Sequence, residues 1–284
     1  MKKRFFIFLQ YITPHHALSR FGGFLMNSTN KWLKKALIRR FLKVYVVNMA
    51  EAIETDPYAY RTFNDLFTRK LKPEARPISA GFKDICSPAD GILTQFGPIK
   101  QGRIIQAKGF NFSVEELVGG DREIASQFDR GLFATIYLAP KDYHRVHMPL
   151  TGTLKQMIVI PGQLFSVNET TAQMVPRLFA RNERVVFLFE TETGPMIVVM
   201  VGACLVASIV TPWAGEIAPI HSKKIETTHY APQQIRLAKG AELGYFKFGS
   251  TAIVLFPENR ANWLSSLDAG MSVKMGQAIG LLAG

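Results

Sequence analysis

Cysteine is scarce in this 284-residue chain: Cys86 and Cys204 are the only two, too few and too isolated for a disulfide framework or a cysteine metal cluster. They read as buried free thiols of a reducing compartment. No uninterrupted run reaches the roughly 18 to 20 apolar residues that span a bilayer. No His-Glu-x-x-His pattern or converging carboxylate cluster is present, so no metal is expected. Internal repeats and low-complexity linkers are also missing. Acidic residues are absent from the first fifty positions, which carry ten Lys or Arg. That absence localises the net charge of +12, because the rest of the chain holds 24 basic against 22 acidic residues.

The basic N-terminus is also rich in apolar residues: Phe5, Phe6, Ile7, Phe8 and Leu9, then Tyr11, Ile12, Leu18, Phe21, Phe24 and Leu25. The run is short, Gln10 and Pro14 interrupt it, and no small-residue cleavage site follows, so removal as a signal peptide is not expected. Between Asn30 and Met49, Leu33, Leu37, Phe41, Val44 and Tyr45 recur at helical spacing, with Lys31, Lys34, Lys35 and Arg39 mostly on the other side. A basic amphipathic helix of this kind can bury its apolar face at a lipid boundary while its cations meet an anionic surface. The alternative is a helix packed on the body with its basic face in water.

Further along, Thr62 ahead of Phe63-Asn64-Asp65-Leu66-Phe67 reads as a capped short helix, and Ser113-Val114-Glu115-Glu116 as a capping box, both structural signals. Beyond residue 80 come short β-rich runs between glycines and prolines: 132–138, 154–160, 185–189, 197–210 and 251–256. No helices of crossover length separate them, so the sheet should be antiparallel. The class expected is α+β: a helical region (1–75) that could associate with a membrane, followed by an antiparallel β-rich domain (76–284), barrel-like or sandwich-like.

Three segments carry chemistry. Gly244-Tyr245-Phe246-Lys247-Phe248-Gly249-Ser250-Thr251 places a Gly-Ser pair at a strand start, which alone would be only a turn. In full it resembles the Gly-x-Phe-x-Leu-Gly-Ser-Thr self-cleavage segment of phosphatidylserine decarboxylases, with Phe248 in place of the usual Leu. Tyr143-His144-Arg145-Val146-His147-Met148-Pro149 is similar to that family's Tyr-His-Arg-x-His motif, and Ser87-Pro88-Ala89-Asp90-Gly91 to its Pro-x-Asp-Gly motif. Asp90-Gly91 is otherwise an ordinary turn dipeptide. A three-residue spacing in a strand puts His144 and His147 on opposite faces, so a bend or loop is needed for both to reach one site.

The chemistry explains the residue types. Glycine lacks a Cβ, so the Gly249 carbonyl can be approached closely by the Ser250 hydroxyl. Attack turns the peptide bond into an ester; loss of the Ser250 α-proton and hydrolysis then leave a pyruvoyl group at position 250. A serine needs a base to become a nucleophile, and the base a group to orient it. Residue by residue, the resemblance implies Asp90 as the orienting acid, His147 as the base for self-cleavage and His144 as the proton handler in decarboxylation.

Pro161 to Asn168 is similar to a family stretch bordering the active site, making Phe165, Ser166, Val167 and Asn168 candidate pocket residues; Lys108 to Ser113 is a looser match that yields no site residue. The resemblance implies a self-made pyruvoyl cofactor, cleavage into chains 1–249 and 250–284 that stay together, and conversion of phosphatidylserine to phosphatidylethanolamine and carbon dioxide in phospholipid biosynthesis. It also implies a peripheral location on the cytoplasmic face of the cell membrane, an anionic lipid surface rather than nucleic acid as partner, and a homodimer as a further expectation. Two other readings stay open: a non-catalytic β module on a basic anchor, and a serine hydrolase using Ser250, His147 and Asp90 on external substrates with the chain intact.

Overall fold

The computed structural model describes residues 2–107, 109–204, 208–217, 222–231, 234–247 and 250–283. Three helices open the chain: α1 (Lys2–Ile12), α2 (His15–Met26) and α3 (Lys31–Val44). Pro14 disfavours helix at the residue before it and separates the first two. Asn30 starts the third by accepting the Trp32 and Leu33 amides on Oδ1 at 3.0 and 3.2 Å.

The amphipathic pattern of α3 serves packing on one side. Ile38 and Phe41 are buried against Phe63, Leu66 and Phe67 of α4 (Phe63–Phe67), and the Phe41 ring meets that of Phe63 edge-on at 5.3 Å. Thr62 caps α4 with the expected capping box through Asp65. Lys34 donates from Nζ to the Tyr58 and Tyr60 carbonyls at 2.8 and 2.7 Å, so this cation is tied to the body. Large apolar side chains left in water on α1 and α2 include Phe5, Phe8, Ile12, Phe21 and Phe24, and Trp32 and Val44 of α3 are exposed as well. Among the described residues no helix is long and apolar enough to cross a membrane.

The body is built on a nine-stranded sheet in which each neighbour is antiparallel, as the lack of crossover helices predicts. Ser250–Phe256 lies near its middle, with every residue buried, between Leu132–Leu138 and Gly194–Val201. Arg184–Thr191, Gly152–Ile160 and Glu226–His229 continue the sheet on one side, Gly91–Pro98 and Ser272–Val273 on the other. The two edges do not pair with one another among the described residues, so of the barrel-like or sandwich-like forms expected the closed barrel is absent and the sheet is open. The expected strand 197–210 is also divided: Gly194–Val201 stays in the main sheet, whereas Ile209–Thr211 joins a second one with Gly215–Glu216, Glu242–Phe246 and Arg145–His147. Asn182 sits at the break, its side-chain amide donating to the Phe165 and Gly202 carbonyls at 2.8 and 2.9 Å. A third sheet joins Asp84–Cys86 to Ala278–Leu282 and Ala261–Trp263. Cys86 is buried as expected, but Cys204 is only partly so, and neither forms a disulfide.

Phe41 is the aromatic through which α3 grips α4. Phe41→Ala should cost about 3–5 kcal/mol in urea unfolding, whereas Trp32→Ala, at a side chain 85% exposed, should stay within about 0.5 kcal/mol. Equal losses would mean that α3 does not pack in this way.

Candidate active site

Antiparallel pairing makes the start of one strand the neighbour of the end of the next, and this gathers the motif residues at one end of the main sheet. At that end Ser250–Phe256 begins, with Ser250 opposite Leu138 and Thr251 opposite Val201. There too Leu132–Leu138 runs out toward His144, Gly152–Ile160 runs out into 161–168, and Gly91–Pro98 starts one residue after Asp90. Gly91 is confined to glycine because a Cβ there would run into the Tyr137 carbonyl oxygen, so Asp90-Gly91 is more than an exchangeable turn.

Ser250 is fully buried, and its Oγ has no hydrogen-bond partner among the described residues. Its motif neighbours Phe248 and Gly249 lie outside the described residues. His144 is also fully buried, its ring stacked on Phe67 with centroids 4.1 Å apart. Neither ring nitrogen makes a hydrogen bond of normal geometry. Burial first and the charge of Arg69 second push its pKa down to about 3, against a weaker opposing effect of the nearby Pro140 and Ala139 backbone. The ring is therefore neutral at neutral pH. Its backbone carbonyl accepts the Phe246 amide at 3.0 Å, which sets His144 beside the chain that leads to Ser250.

His147 is held differently. Nδ1 donates to the Gly240 carbonyl at 2.8 Å, which assigns the proton to that nitrogen and leaves Nε2 to accept from the Tyr143 hydroxyl at 3.1 Å. Burial lowers its pKa as well, while burial raises that of Tyr143 and keeps the phenol protonated. The spacing argument holds: Arg145–His147 is a strand, His144 lies just before it, and the two rings have different neighbours.

Among the described residues Asp90 makes no hydrogen bond to either imidazole. Its carboxylate takes the Arg76 guanidinium, with Nε to Oδ1 at 2.8 Å and Nη2 to Oδ2 at 2.5 Å, and the Met275 amide at 2.9 Å. The acceptor that orients His147 is thus Gly240, and Asp90 bears on the ring only through space. Gly240 and Met275 could not have been found from motif spacing, because they act through backbone atoms that any residue carries. Arg76, Arg69 and Phe67 are side chains, but without partners in sequence they gave no signal; α4 read as a purely structural helix.

The stretch 161–168 meets the N-terminal helices. Phe165 is buried with Tyr11 and His15 edge-on at 5.2 and 5.5 Å and the Arg181 guanidinium over its face at 4.9 Å. Gln10 Oε1 accepts the Ser166 amide at 2.8 Å, and the ring of His16 bonds the Gly162 carbonyl through Nε2 at 3.0 Å. Val167 is buried, and Asn168 spends its side chain capping Glu169–Met174. Among the described residues no cluster of three or more His, Cys, Asp or Glu could hold a metal.

A family model described as phosphatidylserine decarboxylase matches residues 63–281, and one described as PSD matches 5–46. The chain is 56% identical over 282 residues to a phosphatidylserine decarboxylase proenzyme of Pseudomonas putida, covering 98% of each chain. To proenzymes of the same name from Pseudomonas fluorescens and Bordetella avium it is 54% and 52% identical, over 99% and 100% of this chain and 98% and 96% of theirs. The chain belongs to the phosphatidylserine decarboxylase family. Within this decarboxylase, the segments expected to carry chemistry and the N-terminal helices thus fall inside matched regions.

The depressed pKa of His144 has a consequence for stability. The unfolded chain binds a proton near pH 6.5 that the folded ring refuses until about pH 3. The stabilisation is therefore complete above pH 6.5 and is lost as pH falls below it, by up to about 1.4 kcal/mol per pH unit. His144→Phe, which keeps a ring on Phe67, should flatten the fall in urea midpoint between pH 6.5 and 4.5 and leave the profile above pH 7 unchanged. An unaltered slope would place the titration elsewhere.

Proposed function

We propose that the chain cuts its own backbone between Gly249 and Ser250, keeps a pyruvoyl group at position 250, and uses it to convert phosphatidylserine to phosphatidylethanolamine at the cytoplasmic membrane surface. The coarser activity, phosphatidylserine decarboxylation by a protein made as a proenzyme, is that of the family. The observation that carries the finer reading is Ser250: a fully buried hydroxyl without a partner among the described residues, at the first residue of a central strand and at the sheet end where His144 lies. A buried hydroxyl left unpaired costs about 1–3 kcal/mol. Replacing it by a carbonyl removes a donor that has nowhere to go, so position 250 suits the group.

When present, that carbonyl supplies the electron sink for loss of carbon dioxide. The chain's own residues do the rest. His147, with Nδ1 committed to Gly240, serves as base for self-cleavage through Nε2 once the Tyr143 hydroxyl that donates to it turns aside. His144, neutral and dry, takes and returns the proton in decarboxylation. Asp90 holds Arg76 and the Met275 amide in place and adds its field to His147. Phe165 to Asn168 would border the pocket.

For the membrane, the exposed Phe5, Phe8, Phe21 and Phe24 support docking by α1 and α2, with the basic residues of α1 to α3 adding attraction to anionic lipid. The division of labour is then between residues 1–75 at the lipid and 76–284 in catalysis, although α4 belongs by contact to the catalytic wall.

A denaturing gel of the purified protein should show chains of 249 and 35 residues, the smaller blocked to N-terminal sequencing. Ser250→Ala should give one full-length chain. His147→Ala should block cleavage, while His144→Ala should cleave and lose most of its decarboxylation. Full cleavage of the Ser250 variant would refute the site. In flotation with anionic vesicles, changing Phe5, Phe8, Phe21 and Phe24 to Ser should abolish binding that salt merely weakens, since burial of apolar surface is not screened. A variant that still floats would assign those helices to packing.

A further inference from the structure

Arg69 is a buried cation with most of its hydrogen-bonding capacity unspent. The residue is 5% exposed; Nη2 reaches the Lys141 carbonyl at 3.2 Å, while Nε and Nη1 are buried without a partner among the described residues. A guanidinium carries five N–H donors and keeps its charge at any working pH. Leaving one unpaired in the interior is costly, so a fold that retains it needs an anion to complete it.

The surroundings fit such an anion. Arg69 lines a cleft of about 190 Å³ together with Glu51, Arg76, Asp90, Lys141, Asp142 and Lys274. Its carboxylates are already engaged. Asp90 and Glu51 both pair with Arg76, at 2.5 and 2.9 Å, and Asp142 accepts the Ala139 amide at 2.8 Å while burial raises its pKa. Lys141 and Lys274 are exposed and add positive charge at the mouth. The cleft also adjoins the reaction site, because Phe67, two residues before Arg69, is the ring on which His144 stacks, and Tyr143 lines both.

Phosphatidylserine brings two anions, a carboxylate and a phosphodiester. The phosphorus is joined through one oxygen and one methylene to the carbon that loses carbon dioxide, so both must lie near the site. A guanidinium on the carboxylate would stabilise a charge that disappears in the reaction, favouring the ground state over the transition state. The phosphodiester keeps its charge throughout, and a cation there contributes binding without opposing the chemistry. We propose that Arg69, with Lys141 and Lys274 at the rim, forms the subsite for the phosphodiester of the substrate headgroup. This rests on the decarboxylase reading above and assigns its phosphate contact.

The test uses the processed enzyme and phosphatidylserine in neutral detergent micelles, which removes the membrane's own charge. Competitors are glycerophosphoethanolamine, which has the diester without the carboxylate, L-serine, which has the carboxylate without the phosphate, and inorganic phosphate. Arg69→Gln should raise KM and weaken glycerophosphoethanolamine inhibition by the same factor, about tenfold or more for a charge-assisted contact. The value of kcat should stay within about threefold, L-serine inhibition should not change, and Arg69→Lys should recover part of the loss. Unchanged glycerophosphoethanolamine inhibition overturns the proposal. So does a loss confined to L-serine, which would put the guanidinium on the carboxylate, or competition by inorganic phosphate as strong as by the diester. If Arg69→Gln does not fold or process, the double change Lys141→Gln with Lys274→Gln decides: weaker diester inhibition by several-fold supports the subsite, and no change overturns it. Failure of the native protein to decarboxylate phosphatidylserine would instead sink the decarboxylase reading and is seen separately.

Discussion

The structure depends on one strand being held from both sides. Ser250–Phe256 is hydrogen-bonded along its length to Leu132–Leu138 and over five residues to Gly194–Val201, and every one of its side chains is buried. A central antiparallel strand of this kind has no free edge, so a break in the backbone at its first residue leaves both ladders in place. The segment after the break is also woven into the rest: Ser272–Val273 pairs with Gly91 and Ile92, the Met275 amide binds Asp90, and Ala278–Leu282 pairs with Asp84–Cys86. A short C-terminal chain can therefore stay bound without a covalent link, and it brings part of the site with it.

Burial governs the chemistry at that strand's start. It keeps His144 and His147 neutral and leaves Ser250 and Arg69 with donors that the protein itself does not satisfy. Low local polarity strengthens each remaining electrostatic effect, which is why a carboxylate committed to Arg76 can still act on His147 from outside hydrogen-bond range. The costs of these unpaired groups are borne by a large continuous core, reaching from Ile85 to Ile279, into which even Ile7 of α1 is packed.

The N-terminal helices do more than carry charge. Gln10, Tyr11, His15 and His16 all bear on the 161–168 stretch, so the exposed aromatic surface of α1 and α2 is mechanically continuous with a segment at the sheet end where Ser250 lies. α3 and α4 make a second connection on the other side, from Phe41 through Phe67 to the His144 ring.

The class, the antiparallel sheet and the segments proposed to react were legible in the chain alone, because these are written in local patterns: an N-terminus without acidic residues, short β runs without crossover helices, the caps at Thr62 and Ser113, and three motifs of fixed spacing. The sequence placed Ser250, His144, His147 and Asp90 in one region through resemblance, not through any rule of periodicity. What each of them touches became visible only in the folded chain. Gly240 accepts from His147, Arg76 claims Asp90, Arg69 is left with open donors among the described residues, and Ile38 and Phe41 of α3 turn to Phe63 and Phe67 while several aromatics of α1 and α2 stay exposed. The physical reason is the range of the interactions. Strand and cap signals are settled within a few residues, whereas burial and hydrogen-bond partners join residues far apart in the chain, such as His147 with Gly240 and Asp90 with Met275, and exist only once the sheets have brought those backbones together.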